Sequence, residues 1–286
     1  MLSACLVTPS YANDLERCGL LCESIDRYVT GYSRHYVIVH DEDIALFAPL
    51  ASPRRLVLPV SRFLPAWLSF GLKPHRTWWL NKVLRISIEG WHIQQLVKLS
   101  AAASVAETVT LLIDSDVVFL HPWRIESWLG ERPPLYRALE GITAEKYQHQ
   151  AWLATTCKVL GLAPLQLPAT DYIGPIIAWE QLTVRTLLDR ISRKTRKPWA
   201  WALCRRQEFS EYLLYGCHVA SDPAAASKQR WFEASVCHTY WGTVEMSEAE
   251  LQGLVAAMAP EQVAICVQSR SGTTVELIRA VTGFSR

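Results

Sequence analysis

Short apolar runs alternate with segments of helical spacing along this chain. Ala4 to Val7 is an apolar run that stops at a polar turn, and a helical pattern follows from Asp14 to Val29. Further strands are predicted at Tyr36–His40, Arg55–Val60, Leu111–Leu120, Tyr172–Trp179 and Val263–Val267, and further helices at Trp91–Leu99, from Ser210 onward, and at Ser247–Met258. This order predicts an α/β fold with a mostly parallel central sheet flanked by helices.

The run Leu111–Leu120 carries two carboxylates, one residue apart, inside apolar sequence. Because residues i and i+2 of a strand share a face, we expect Asp114 and Asp116 side by side at the tip of a buried strand. Two such charges raise each other's pKa and favour a neutralising cation. Carboxylate oxygens suit Mg²⁺ or Mn²⁺, which leave positions open for water and phosphate. Alternatively, one aspartate caps the turn and the other faces solvent.

Polar residues also follow the first two predicted strands. Thr8-Pro9-Ser10-Tyr11 comes after the first, and Asp41-Glu42-Asp43 after the second. In open α/β sheets, ligands bind beyond the carboxyl ends of the strands. We therefore expect these turns and the Asp114/Asp116 pair to line one crevice, although polar turns after strands are also ordinary.

The helical segment Trp91–Leu99 places three polar side chains off its apolar stripe, at Gln94, Gln95 and Lys98. Since this segment directly precedes the Asp114/Asp116 strand, Lys98 could reach a diphosphate as a point charge. The alternative is a solvated helix face.

The second half of the chain holds three further candidates. Arg185 to Arg206 carries eight basic residues against the single acid Asp189, which suits an anionic membrane surface, an acidic acceptor or simply a charged exterior. Glu211 lies among aromatic residues, where partial burial would suit a general base. His238 is a candidate metal ligand, with a packed or surface histidine as the alternative.

Composition limits the class of protein. The chain has 286 residues, half of them apolar, which is enough for one large α/β domain. Its net charge of +2 argues against a dedicated nucleic-acid binder. Eight cysteines without a C-x-x-C pair indicate reduced thiols in a cytoplasmic protein. Without a continuous apolar stretch of membrane-spanning length, we expect a soluble or peripheral protein.

Together these segments resemble the GT-A nucleotide-sugar glycosyltransferases. More narrowly, they resemble a bacterial family of unknown function with a glycosyltransferase-like pattern, found among polysaccharide-assembly proteins. The segments that carry the resemblance are Thr8-Pro9-Ser10-Tyr11, Gly90–Leu99, Asp114-Ser115-Asp116, Tyr172-Ile173-Gly174 and Ser210–Gly216.

The resemblance implies a single GT-A-like domain over residues 1–286, with a nucleotide-sugar-binding half at 1–120 and an acceptor-binding and catalytic half at 121–286. It implies nucleotide-sugar contacts at Thr8, Pro9, Ser10, Tyr11, Asp41, Gln95, Lys98, Asp114 and Ser115. It implies acceptor contacts at Tyr172, Gly174 and Tyr212, and a Mn²⁺ or Mg²⁺ ion on Asp114, Asp116 and His238. Glu211 would be the base of an inverting reaction.

The implied partners are a nucleotide-diphospho-sugar, with a UDP-sugar expected, and a glycan or lipid-linked acceptor in surface polysaccharide assembly. No nucleic acid is expected. The implied location is the cytoplasm, with peripheral contact to the inner face of the membrane through Arg185–Arg206.

Two alternatives come from other classes of protein. Leu111–Val118 also fits the first motif of haloacid-dehalogenase-like phosphatases, in which the first aspartate is the nucleophile and the second a general acid. That fold needs a later acidic motif, whereas Asp171, Asp189 and Asp222 stand alone. A non-catalytic sugar-binding scaffold is the other alternative, because fold does not fix function.

Overall fold

The computed structural model describes residues 2–70, 78–79, 87–88, 90–204 and 208–284. The helices in this part of the chain are α1 (Leu15–Tyr28), α2 (Ile44–Phe47), α3 (Gly90–Ser104), α4 (Ile125–Leu129), α5 (Tyr147–Leu160), α6 (Gln181–Thr195), α7 (Trp199–Cys204), α8 (Glu211–Ser221), α9 (Pro223–Ala226), α10 (Glu248–Ala256) and α11 (Val275–Thr282). None of them has the length and hydrophobicity of a transmembrane segment.

The strands of the same part are short, as is usual for an α/β protein. They are β1 (Ala4–Pro9), β2 (Val29–Thr30), β3 (His35–Val39), β4 (Arg55–Pro59), β5 (Ser69–Phe70), β6 (Trp78–Trp79), β7 (Ser87–Ile88), β8 (Val109–Ile113), β9 (Val117–Phe119), β10 (Trp123–Arg124), β11 (Pro134–Tyr136), β12 (Ala138–Ile142), β13 (Ala169–Asp171), β14 (Ile176–Glu180), β15 (Arg230–Phe232), β16 (Cys237–Tyr240) and β17 (Ala264–Val267).

A five-stranded sheet with the order β14-β8-β1-β3-β4 forms the centre of the molecule. Strands β8, β1, β3 and β4 are parallel, and β14 runs antiparallel at the edge. The predicted mixed α/β fold with a mostly parallel sheet is confirmed. From β1 the chain moves outward through β3 and β4, then returns to β8 on the other side of β1. This reversal of strand order creates a crevice at the carboxyl ends of β1 and β8.

The prediction of one continuous strand over Leu111–Leu120 is wrong. Strand β8 ends at Ile113, and a turn closed by a hydrogen bond from Val117 N to Asp114 O (3.3 Å) precedes β9. Strand β9 then pairs with β17 in a second sheet of order β16-β17-β9. The apolar run therefore serves two sheets, and the two aspartates lie in the turn between them.

Two apolar clusters cover the faces of the central sheet. Helices α3, α6 and α8 contribute buried residues such as Leu96, Leu187 and Leu213 to the larger cluster. The ring of Tyr172 lies so close to Gly216 of α8 that a Cβ at this glycine would be 2.1 Å from it. Helix α8, which begins at Glu211, therefore packs directly against Tyr172 in the segment between β13 and β14.

The two predicted halves of the chain share their sheets, since β14 pairs with β8 and β17 pairs with β9. The basic stretch Arg185–Arg206 forms most of α6 and α7, with Arg205 and Arg206 outside the described residues. Arg185 and Arg190 donate to the carbonyls of Ala103 and Leu160, so part of this charge joins helices together. A mobile loop predicted at Phe70–Leu80 lies largely outside the described residues.

A fully buried histidine makes stability depend on pH. Arg55 Nε donates to His35 Nδ1 (3.1 Å), so His35 Nε2 carries the proton and donates to Thr8 Oγ1 (3.0 Å). Burial, and then the charge of Arg55, lower the pKa of His35 to about 3. As the pH falls through about 6.5, the unfolded chain binds a proton at this histidine and the native protein does not. The stabilising contribution of the neutral, buried His35 is therefore full above pH 6.5 and is lost as the pH falls toward 3.

Because of this histidine alone, we expect the free energy of unfolding to be about 2 kcal/mol lower at pH 5 than at pH 7. Urea titrations at both pH values measure the change. His35→Asn keeps an acceptor for Arg55 without titrating in this range, so its difference between the two pH values should be smaller by that amount. The exposed His121, replaced by Gln, is the matched control. An equal change in the free energy of unfolding between pH 7 and pH 5 for wild type and His35→Asn would contradict the role of His35.

Candidate functional site

Two aspartates lie at the carboxyl end of β8, beside the crevice. Asp114 N donates to Pro175 O (3.1 Å), which ties the turn to the start of β14, and the Asp114 side chain is 35% exposed. Asp116 is partly buried and accepts hydrogen bonds from Ser269 N (3.1 Å) and from Cys266 Sγ (3.4 Å). Burial, and then the charge of Asp114, raise the pKa of Asp116 to about 6. The pair therefore concentrates negative charge that a cation would stabilise.

A buried ammonium meets this pair from the side of α3. Lys98 Nζ lies 2.9 Å from Asp114 Oδ1, 3.1 Å from Glu211 Oε1 and 2.8 Å from Tyr212 Oη, and its side chain is 9% exposed. Burial opposes the charge of Lys98, but Asp114 and the two residues of α8 outweigh it and hold the Lys98 pKa well above its ordinary value. Lys98 is therefore a fixed positive charge at the site. The alternative of a solvated helix face is wrong, because Lys98 is buried, while its predicted contact with a diphosphate stays a prediction.

Glu211 is buried and contacts Lys98 and Gln95. It begins α8, its backbone N–H donates to Gln95 Oε1 (3.1 Å), and its side chain is 3% exposed. Burial raises the Glu211 pKa, and Lys98 opposes that rise. A general base must reach the hydroxyl that it deprotonates. Because the Glu211 carboxylate contacts Lys98 inside the protein, its position suits holding that lysine, and its role as a base stays a prediction.

Two residues that contact the neighbourhood of this turn, Asp14 and Arg17, were not anticipated from the sequence. Asp14 is buried, accepts from Ser115 Oγ (3.2 Å), and has a pKa raised first by burial. Arg17 donates to the carbonyls of Val267 (2.9 Å) and Thr273. These contacts join the first turn of α1 to the Asp114-Ser115-Asp116 turn and to β17. The only sequence signal was an acid three residues before an arginine, directly after the first predicted strand.

The residues predicted to hold the nucleotide differ in their surroundings. Ser10 is buried at the end of β1, while Tyr11 is only partly buried, with a pKa raised by burial and then by Asp14. Thr8 is bound to His35 inside the sheet, and exposed Asp41 accepts from Ser61 N (3.2 Å). Pro9, the last residue of β1, also lies at this edge. Binding of a nucleotide by these residues stays a prediction.

The three residues predicted to contact an acceptor do not form an open surface. Tyr172 is buried against Gly216, and Tyr212 is buried beside Lys98. Gly174 lies close to Tyr136, since a Cβ there would be 3.3 Å from its ring. Aromatic residues at these positions fill the core between β14 and α8, so direct acceptor contacts of Tyr172 and Tyr212 are not favoured.

The register of the second sheet does not bring His238 to the aspartates. His238 pairs with Ile265, and Thr239 pairs with Cys266, in parallel alignment. Paired residues share a face of a sheet. His238 therefore shares the face of Ile265, which packs in a different apolar cluster, whereas Cys266 faces Asp116. As a correction to the prediction, His238 is not placed to complete a metal shell with the two aspartates.

A divalent cation fits Asp114 and Asp116 only with help from a substrate. Across residues 2–70, 90–204 and 208–284, no three His, Cys, Asp or Glu side chains are grouped as metal ligands. The two carboxylates nevertheless supply hard oxygen donors, and a cation beside them would stabilise the ionised form of Asp116, whose pKa is raised by burial and then by the charge of Asp114. Mg²⁺ is commonly held by one or two carboxylates together with substrate phosphates and water. The donor set therefore fits Mg²⁺ or Mn²⁺ bound together with a phosphate-bearing ligand.

Comparison with known proteins defines the class of fold. The crystal structure of an active-site mutant of LgtC matches with a TM-score of 0.50 and 12% sequence identity, covering 98% of this chain and 95% of LgtC. LgtC is a glycosyltransferase, and the match shows that this chain has a GT-A-like fold. The chain belongs to a family of unknown function, DUF6492, whose model matches residues 1–270. No curated protein matches the sequence.

Proposed function

We propose that this protein is a metal-dependent glycosyltransferase. It moves a sugar from a nucleotide-diphospho-sugar to a hydroxyl of a glycan or lipid-linked acceptor. The observation that carries the proposal is the Asp114/Asp116 turn, which places two carboxylates, one residue apart, at the crevice where the strand order reverses. The GT-A-like fold and the likeness to LgtC support it.

We assign a separate role in binding the nucleotide-sugar donor to each of the residues at this site. Asp114 and Asp116 would hold Mg²⁺ or Mn²⁺, which would neutralise charge on the departing diphosphate. Lys98 adds a fixed positive charge 2.9 Å from Asp114, and Glu211 holds that lysine in place. Tyr11, beside Asp14 at the mouth of the crevice, is a contact for the nucleotide.

The phosphatase alternative loses its basis. The chain has a GT-A-like fold, and no third acidic ligand accompanies Asp114 and Asp116 in the described residues. A non-catalytic scaffold remains as an outcome of the test below. The remaining assignments, a UDP-sugar, an inverting reaction, polysaccharide assembly on the cytoplasmic side of a membrane and contact of α6 with that membrane, are proposals that follow from the resemblance.

Isothermal titration of UDP, GDP and CDP into the purified protein tests the proposal. We expect one diphosphate to bind in the presence of Mn²⁺ and to lose at least about tenfold in affinity in EDTA, because a metal held by Asp114 and Asp116 would also stabilise the negative charge of the diphosphate. Release of the nucleoside diphosphate from the matching sugar nucleotide would then separate an enzyme from a scaffold. Binding of none of the three diphosphates would overturn the proposal.

A further inference from the structure

A histidine–aspartate pair lies outside the donor site. His149 Nδ1 is 2.8 Å from Asp171 Oδ2, and the buried Asp171 also accepts from Ile173 N (3.2 Å) and lies 3.7 Å from Lys146 Nζ. The His149 side chain is 26% exposed, and no described residue forms a hydrogen bond to its Nε2. Asp171 thus fixes the orientation of the imidazole and leaves one nitrogen available.

Aromatic rings extend from this histidine to the surface. His149 stacks on Trp152, with ring centroids 4.9 Å apart, and Trp152 lies 5.1 Å from Trp91. Trp91 is 41% exposed, and Tyr147, at the start of α5, is 78% exposed. An exposed indole, joined through Trp152 to an oriented imidazole, offers an apolar platform together with a hydrogen-bonding group, which are the elements of a small-molecule site.

The chain places this aromatic platform at the crevice side of the sheet. Helix α3 ends four residues before β8 begins, so Trp91, at the opposite end of α3, lies toward the carboxyl end of β8. Trp91 is about 10 Å along the helix from Lys98, which contacts Asp114.

A second connection, along the chain, limits the distance between Asp171 and the Asp114 turn. Asp171 is four residues from Pro175, whose carbonyl accepts from Asp114 N. Their Cα atoms are therefore at most about 14 Å apart. Both routes place the His149–Asp171 pair on the crevice side of the sheet, and the second limits its distance along the chain from the Asp114 turn.

We propose that Trp91, Trp152 and His149 form the subsite for a carbohydrate acceptor, and that His149, held by Asp171, is the base for its hydroxyl. This inference rests on the proposed function and assigns its acceptor side. The apolar face of a pyranose packs on Trp91, while Nε2 accepts the hydrogen bond of the reacting hydroxyl. The geometry supports His149 over Glu211, whose carboxylate is buried against Lys98.

The step balances without any other reactant. The acceptor oxygen forms a bond to the anomeric carbon of the donor sugar as its proton passes to His149 Nε2. The bond from that carbon to the diphosphate oxygen breaks, and its electron pair leaves with the nucleoside diphosphate. Asp171 stabilises the imidazolium through Nδ1–H, and the proton then passes to water.

Saturation-transfer NMR tests the platform directly. The probes are the methyl glycosides of glucose, galactose, mannose and N-acetylglucosamine at millimolar concentration, without donor. We expect at least one to receive saturation from the wild-type protein and to lose most of it with Trp91→Ala. Exposed Trp241, replaced by Ala, is the matched control. Failure of all four glycosides, or equal saturation with Trp91→Ala, overturns the subsite.

Transfer kinetics test the base. With the bound glycoside as acceptor, we expect His149→Gln to lower kcat by about 100-fold or more, the usual contribution of a general base, with KM and diphosphate binding within about twofold of wild type. Asp171→Asn should lower kcat and shift the acid limb of the pH profile, which a purely structural role would not move. His121→Gln is the control. Wild-type kcat in His149→Gln overturns the assignment.

These experiments separate the two proposals. Absence of diphosphate binding in the wild-type protein refutes the donor site, while the glycoside experiment reads the aromatic platform without any donor. A third result is also informative: diphosphate binds in a metal-dependent manner, but Trp91→Ala does not change glycoside binding. This result leaves the proposed function intact and refutes the acceptor subsite alone.

Discussion

Replacing Lys98 by methionine is expected to lower the free energy of unfolding by about 3–5 kcal/mol, because it leaves a buried carboxylate without its cation. Glu211 is 3% exposed, and Lys98 Nζ at 3.1 Å is its charged partner among the described residues. Asp114 is more exposed and can recover hydration, so most of the loss comes from Glu211. Urea unfolding at pH 7, followed by circular dichroism, measures the change.

A double variant distinguishes charge from packing. In Lys98→Met combined with Glu211→Gln, no unpaired buried charge remains, and we expect at least half of the lost stability to return. The Lys98→Met protein should also be less destabilised at pH 5 than at pH 8. Burial already raises the Glu211 pKa, and without Lys98 it rises further, so the cost of keeping this carboxylate ionised grows as the pH rises.

The exposed Lys158 of α5, replaced by Met, serves as the control for losing a lysine from a helix. A loss below about 1 kcal/mol for Lys98→Met would place this pair among ordinary surface ion pairs, and would contradict its role as the fixed charge of the site.

The local pattern of apolar and polar residues was sufficient to predict much of the fold. The run Ala4 to Val7 became β1, and the helical spacing after Asp14 became α1, because a parallel strand buried on both faces is uniformly apolar and a covering helix has a 3.6-residue period. The order of these elements indicated a mostly parallel sheet, and their polar ends indicated the edge where Asp114 lies.

The failures arose where partners distant in sequence decide the outcome. An unbroken apolar run gave no sign that β8 and β9 join different sheets with a turn at Asp114–Asp116 between them. Similarly, a register difference of one residue decides which face of β16 holds His238, since side chains alternate along a strand. The pairing with Ile265 that fixes this register is not encoded near His238.

Contacts around Lys98 show the same limit. Its three partners come from the turn after β8 and from α8, more than 110 residues away in the case of Tyr212. A lysine off the apolar stripe of α3 looks solvated from local sequence. It is buried because α8 packs on α3 in the folded protein.

Loss of one carboxylate at the turn is expected to remove most of the activity. Asp116→Asn keeps an acceptor for Ser269 N and so preserves the turn, but it removes one of the two negative charges that would hold the proposed metal. If the metal contributes about 3 kcal/mol or more to stabilising the leaving group, release of diphosphate from the sugar nucleotide should fall at least about 100-fold. The Mn²⁺-dependent part of diphosphate affinity should fall with it.

Steady-state release of the nucleoside diphosphate and titration with and without Mn²⁺ measure these two losses. Asp189→Asn, an exposed change on α6, controls for removal of one negative charge. Because removing a partly buried charge of raised pKa relieves repulsion with Asp114, Asp116→Asn should be no less stable than wild type at pH 7. A stable variant that loses metal-dependent binding would separate the function of the carboxylate pair from its place in the fold. A stable variant with undiminished affinity and activity would move the metal, or the donor site itself, away from this turn.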